Sequence, residues 1–235
     1  PAIIGLPQPL RYLVARLISG RRYKIAQAIY DKIGGRSPIL PQTEDQARAL
    51  DAVLNTGSAS IGNEWKSFVC MRYWHPRADA VVRAVKDWQP DRVLLLPLYP
   101  QYAASSTASA FDEEFAQLAK MRDVPAIRTV KHYPGDRGYI DALAQNVRDY
   151  WNKAGRPEKL VMSWLWGPSA AFEKGDPYYY GCEETGRLLA EVLQLDPDEY
   201  QICFQSRFGR EEWLSPYTAV TLEQLGKQHM RRVDV

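Results

Sequence analysis

The chain has 235 residues, 46% of them hydrophobic and 25% charged, the composition of a globular protein with room for one large domain or two small ones. Its 30 Lys and Arg against 28 Asp and Glu leave a net charge of +2, with the basic residues scattered, so the chain carries no electrostatic footprint for nucleic acid. No apolar run approaches the roughly 18 residues of a membrane span and no signal peptide opens the chain, while three isolated cysteines (Cys70, Cys182, Cys203) fit a reducing, cytoplasmic setting.

Residues 7–34 read as a helix, with apolar positions at Leu10, Leu13, Val14, Leu17, Ile18, Ile25, Ile29 and Ile33, stopped by Gly34 and Gly35. The apolar side of this segment is expected to pack on a sheet, with at most peripheral contact with a membrane. TEDQARALDAVLN is a second helix with Thr43 as its N-cap. SFVCMRYW, from Ser67 to Trp74, reads as a strand, and HPRADAVVRAVKDW as a helix. DRVLLLPLYP is the most apolar segment; a continuous run of that kind predicts a strand buried on both faces of a parallel sheet. A helix over TASAFDEEFAQLAK and a strand over AIRTVKHYP follow, then the long helix DRGYIDALAQNVRDYWNKAG. KLVMSWLW, GCEETGRLLAEVLQL, YQICFQSRF, TLEQLGKQHM and RRVDV give strand, helix, strand, helix, strand. The alternation predicts an α/β protein of two Rossmann-like, doubly wound lobes: residues 1–136 and residues 137–235, with 137–155 a connecting helix. Three strands per half are few for this architecture, and the chain starts without a strand and stops within one. Sequence is therefore expected to be missing at both ends.

Ligands of open parallel sheets bind beyond the carboxyl ends of the strands. The loops there are YWHP, LYPQYAASSTAS, KHYPGDRGY, WLWGPSAAFEKGDPYYY and QSRFGREEWLSPYT. None is a GxGxxG, Walker or GxSxG motif, which removes support for dinucleotide binding, NTP hydrolysis and serine hydrolysis. The only histidines, His75, His132 and His229, have no two-ligand spacing; His75 and His132, at strand ends, are the remaining metal-ligand candidates, each with a structural role as the alternative.

Four of these segments stand in register over the whole chain: CMRYWHP, PLYPQYAASSTAS, KGDPYYYGCEET and FQSRFGREEWLSPYT. Together they resemble the ferrochelatase family, whose members insert ferrous iron into protoporphyrin IX. The resemblance implies a chelatase-type fold of two lobes, each a parallel sheet flanked by helices, with the porphyrin in the cleft between them. It implies ferrous iron as substrate, no required cofactor, and a role in haem biosynthesis. Metal insertion needs a base for two pyrrole protons, and a neutral imidazole suits both proton acceptance and metal hand-off.

The sequence departs from the family there. The family's histidine lies in a Ser-x-His-Gly segment; counting back from Gly175 places its serine on Ser163, its histidine on Leu165 and its glycine on Trp166. The family's glutamate lies beyond the last strand, in sequence that this chain does not contain. No catalytic residue is therefore assigned, and metal insertion is expected to be impaired or lost. Candidate porphyrin- or ligand-binding residues are Tyr99, Gln101, Tyr102, Trp164, Leu165, Trp166, Tyr178 and Arg207, against loop or core packing as the plainer role; Ser206 is read with Arg207. Asp176, before Pro177, is read as a helix N-cap or turn residue. Trp164, Leu165, Trp166, Phe172, Tyr178, Tyr179 and Tyr180 crowd one short stretch, the composition of a binding hot spot. The alternative to an impaired ferrochelatase is thus a silent chelatase scaffold whose Trp164–Tyr180 loop holds a porphyrin or a protein partner.

Overall fold

The computed structural model describes residues 7–32, 34–165, 172–205 and 213–235. The chain divides into two compact units, Pro1–Met71 and Arg72–Val235.

In the first unit, α1 (Gln8–Asp31) is followed by α2 (Ile39–Leu54). Large apolar residues of α1, among them Leu13, Leu17, Ile25 and Ile29, are exposed. Among the described residues no helix is long and apolar enough to cross a membrane. The start of α2 corrects the expected N-cap: the helix begins at Ile39, and Thr43 lies inside it, its hydroxyl donating to Ile39 O at 2.7 Å. Pro41 is accommodated because the first-turn N–H groups lack intrahelical partners, so proline removes no bond there. The end of α2 holds the following segment through Asn55, whose amide bonds the Trp65 backbone, and Asp51, which accepts from Ser67 N. Ser67–Trp74, expected as a strand, joins neither sheet. Its β-branched and aromatic content fits a pleated surface, but a strand exists only where a ladder partner lies alongside.

The second unit contains two parallel sheets. The first pairs β1 (Arg92–Leu95) with β2 (Ala126–Thr129), Arg92 opposite Ala126 and Leu95 opposite Thr129. Helix α3 (Ala78–Trp88) precedes β1, and α4 (Ser109–Leu118), entered through a wide turn at Ala104–Ala108, crosses over to β2 and packs on α3. The expectation of a β1 region buried on both faces does not hold: Leu94, Leu96 and Leu98 are exposed, Leu94 by 53%. With two described strands, this sheet has too few neighbours to enclose them.

Helix α5 (Arg137–Ala154), capped by the Asp136 carboxylate accepting from Tyr139 N at 2.9 Å, leads to the second sheet. There β3 (Lys159–Leu165) lies between β4 (Tyr200–Gln205) and the short β5 (Val233–Asp234), all parallel. Helix α6 (Tyr178–Leu193) joins β3 to β4, and α7 (Thr218–Lys227) joins β4 to β5. The period-2 alternation of β3 sorts its side chains. Leu160 and Met162 join Ala144 of α5 and Leu189, Ala190 and Leu193 of α6 in one core. Val161, on the other face, joins Cys203 and Leu225 of α7. The second sheet is thus covered by helices on both sides.

Candidate active site at the carboxyl ends of the strands

The chain leaves β3 for α6 on one face and leaves β4 for α7 on the other. Neighbouring strands whose outgoing connections take opposite faces create a topological switch point, the usual ligand crevice of an open α/β sheet. Here it falls at Leu165 and Gln205, register partners that end β3 and β4. Leu165 is 63% exposed. The residue before it, Trp164, is half-buried and packs against the Leu160/Met162 core and against a second cluster around Cys182 and Phe204. Ser163 points to the opposite face, its hydroxyl 2.7 Å from that of Thr218 at the start of α7.

The loop after β1 is tied to α6 at several points. Gln101, 6% exposed, donates from Nε2 to Thr185 Oγ1 at 2.8 Å, and that hydroxyl donates to Pro134 O at 2.8 Å. Gly181 allows the approach: a Cβ there would lie 3.2 Å from both Cβ and Cγ of Gln101. Asp176 accepts from Ala104 N at 2.8 Å through Oδ2 and from Tyr178 N at 3.1 Å through Oδ1, the turn role expected for it together with a bond to a distant loop. The loop after β2 adds two more ties, Tyr133 N to Pro100 O at 2.9 Å and the Tyr133 hydroxyl to Pro97 O at 3.1 Å. Tyr102 is half-buried with the Lys131 ammonium 4.9 Å from its ring centroid, and Tyr99 keeps 41% exposure. The candidates Gln101, Tyr102, Tyr178 and Trp164 are therefore brought to one end of the unit, around the start of α6.

Rings fill the space beside α6. Phe172 lies 5.6 Å from both Tyr179 and Tyr180, and Tyr179 lies 5.7 Å from Phe204. Tyr178 packs on Cys182 and Phe204, whereas Tyr180 is exposed. Burial drives the Tyr178 phenol far above its ordinary range and does the same to the Cys182 thiol. The phenols of Tyr99 and Tyr139 are also raised by burial. All four groups hold their protons at neutral pH, and none is a base.

His75 and His132 are both exposed; His75 packs edge-on against Trp74 at 5.8 Å. Among the described residues no group of three or more His, Cys, Asp or Glu converges on a point where a metal ion could be held. Trp166, Ser206 and Arg207 lie outside the described residues. Sequence reasoning missed Thr185 and Gly181. The available signal was their spacing: two small residues four apart lie on one helix face and admit a close neighbour.

Two parallel sheets, helices on both sides of the second, and strand-end loops that carry the candidate residues define a chelatase-type α/β protein. The family model Ferrochelatase matches residues 1–235. The chain belongs to the ferrochelatase family. It is similar to the ferrochelatase of Chromobacterium violaceum, 46% identical over 238 residues, covering 100% of this chain and 65% of that protein. The ferrochelatases of Nitrosomonas europaea and Herminiimonas arsenicoxydans are 45% and 42% identical over 240 residues, each covering 100% of this chain and 65% and 64% of their own lengths. The chain thus spans slightly less than two thirds of the length of these curated relatives.

Proposed function

We propose that this chain is a porphyrin-binding member of the haem-biosynthetic ferrochelatase family in which metal insertion is impaired or lost. The reading is carried by Leu165, which the sequence resemblance puts at the family's histidine position and which lies exposed at the carboxyl end of β3, where the switch point falls. Insertion of a ferrous ion as substrate releases two pyrrole protons, so a group near the ring nitrogens must accept them. A leucine accepts none, and the Tyr178 phenol and the Cys182 thiol, buried near Trp164, keep their own protons. What remains suits a flat ring: Tyr102 on the loop after β1, the Phe172/Tyr179/Tyr180 rings at the start of α6, and a strand end lined by hydrocarbon. In this reading any lipid contact is at most peripheral.

Zinc insertion into a water-soluble porphyrin, followed by fluorescence, tests the reading. The unmodified chain is expected to shift the Soret band without turnover, and Leu165→His to gain insertion. Turnover by the unmodified chain refutes it. A protein partner in place of the porphyrin is favoured by one observation, the 63% exposure of Tyr180 beside two other rings. That reading predicts no Soret shift at all.

A further inference from the structure

One carboxylate serves the amino ends of two helical segments. Asp176 Oδ1 accepts from Tyr178 N, the first residue of α6, and Oδ2 accepts from Ala104 N, the first residue of the turn that runs into α4. Backbone N–H groups are unpaired at such ends and their dipoles favour negative charge, so one anion stabilises both. The two bonds tie together segments 72 residues apart. Three residues before Ala104, Gln101 is fastened to the same helix through Thr185. The stretch between these fastenings carries Tyr102, a ring assigned above to the ligand wall. Gln101 is braced by buried packing, with Gly181 against its Cβ; the Ala104 end, next to the buried Ala103, is tied to α6 through the carboxylate.

We infer that Asp176 is a positioning residue for the porphyrin: by holding Ala104 N–H it sets the angle at which the Tyr99–Tyr102 loop presents its rings, without touching the ligand itself. The assignment rests on the porphyrin reading above. Two substitutions cut the same bond from opposite sides. Asp176→Asn leaves one acceptor oxygen for two N–H donors and removes the charge. Ala104→Pro deletes the donor at the first position of a helical turn, where proline is tolerated, and Ala103 already has the extended φ −139°, ψ 147° that a residue before proline requires.

The experiment compares the unmodified chain, both single variants and the double variant in two readouts. Amide exchange of the 102–108 peptide reports the latch without any ligand. Soret titration with a water-soluble dicarboxylate porphyrin reports ring presentation. Loss of one charge-assisted bond is expected to speed exchange about tenfold in Asp176→Asn and to weaken porphyrin binding about tenfold in either single variant. The Soret maximum should move toward that of free porphyrin, while exchange within Leu189–Leu193 of α6 stays unchanged. The double variant should be no weaker than either single one, because both remove one bond. Unchanged exchange in Asp176→Asn overturns the latch. Faster exchange with unaltered binding and Soret position overturns the positioning role and leaves the porphyrin reading standing. No Soret shift with the unmodified chain sinks the porphyrin reading, and the positioning role with it, whatever the exchange shows.

Discussion

Gly186 sits in the middle of α6, where alanine is intrinsically favoured by about 0.5–1 kcal/mol. Packing reverses that preference. A methyl placed there lies 2.5 Å from Ile202 Cδ1, 2.8 Å from Ile202 Cγ1 and 3.2 Å from Trp164 Cη2. Carbon atoms come to rest at about 3.5–4.0 Å, so Ile202 has to retreat by roughly 1 Å. It is β-branched, stiff at its first torsion, and on a strand paired along its length with β3. Trp164 closes the other side. Overpacking of this kind typically destabilises by about 1–3 kcal/mol, which outweighs the helical gain and leaves Gly186→Ala about 1–2 kcal/mol less stable. Urea unfolding gives the number as a lowered midpoint at unchanged slope. Ile202→Ala removes both close atoms, so the two penalties should combine to less than their sum by about 1 kcal/mol or more. A Gly186→Ala protein stabilised by the propensity difference, with additive behaviour in the double variant, would refute the packing argument.

Two other predictions follow from the buried polar groups. Thr185→Val keeps the shape of the side chain and removes the hydroxyl, leaving the Gln101 amide and the Pro134 carbonyl without it; the expected loss is about 2–4 kcal/mol in the same unfolding assay, and Thr185→Ser should recover most of it. Alkaline pH should destabilise the unit: Tyr178 and Cys182 have folded-state pKa values raised by burial from 10.0 and 9.0, so the folded chain keeps protons that the unfolded chain has released. Stability is therefore full below about pH 9 and falls as pH rises beyond it, by up to about 1.4 kcal/mol per pH unit for each group. Urea midpoints measured between about pH 8 and pH 10.5 check this, and Tyr178→Phe should shallow the fall; a flat profile contradicts it.

The α/β alternation was legible because each element carries its own period. The sorting of β3, with Leu160, Met162 and Trp164 on one face and Val161 on the other, follows from alternation alone. The loops at the carboxyl ends of the strands were legible as well, since strand ends are set by topology. Statements that depended on a partner failed. SFVCMRYW has strand composition but no ladder, and the leucines of β1 have an apolar run but not enough strands around them. Thr43 has the chemistry of a cap, yet the helix had already begun at Ile39, after Pro38 and through Pro41. The bonds from Gln101 to Thr185 and from Asp176 to Ala104 span 84 and 72 residues, and no local pattern reports a contact made that far along the chain.

In the proposed reading, position 165 separates folding from chemistry. The two faces of β3 are committed at Leu160, Val161, Met162 and Trp164, and the ladder to β4 is backbone bonding that any side chain permits. At Leu165 the strand ends, 63% of the residue faces outward, and neither core includes it. Leucine gains little there from burial, and an imidazole would lose little, so packing does not choose between them. Proton transfer does: an exposed imidazole titrates near neutrality, whereas a hydrocarbon has no protonation state to offer. A fold held this far from the strand end can keep its two sheets and its ring-lined loops while the reaction is lost, which is why Leu165→His is expected to change turnover and leave the unfolding midpoint nearly where it was.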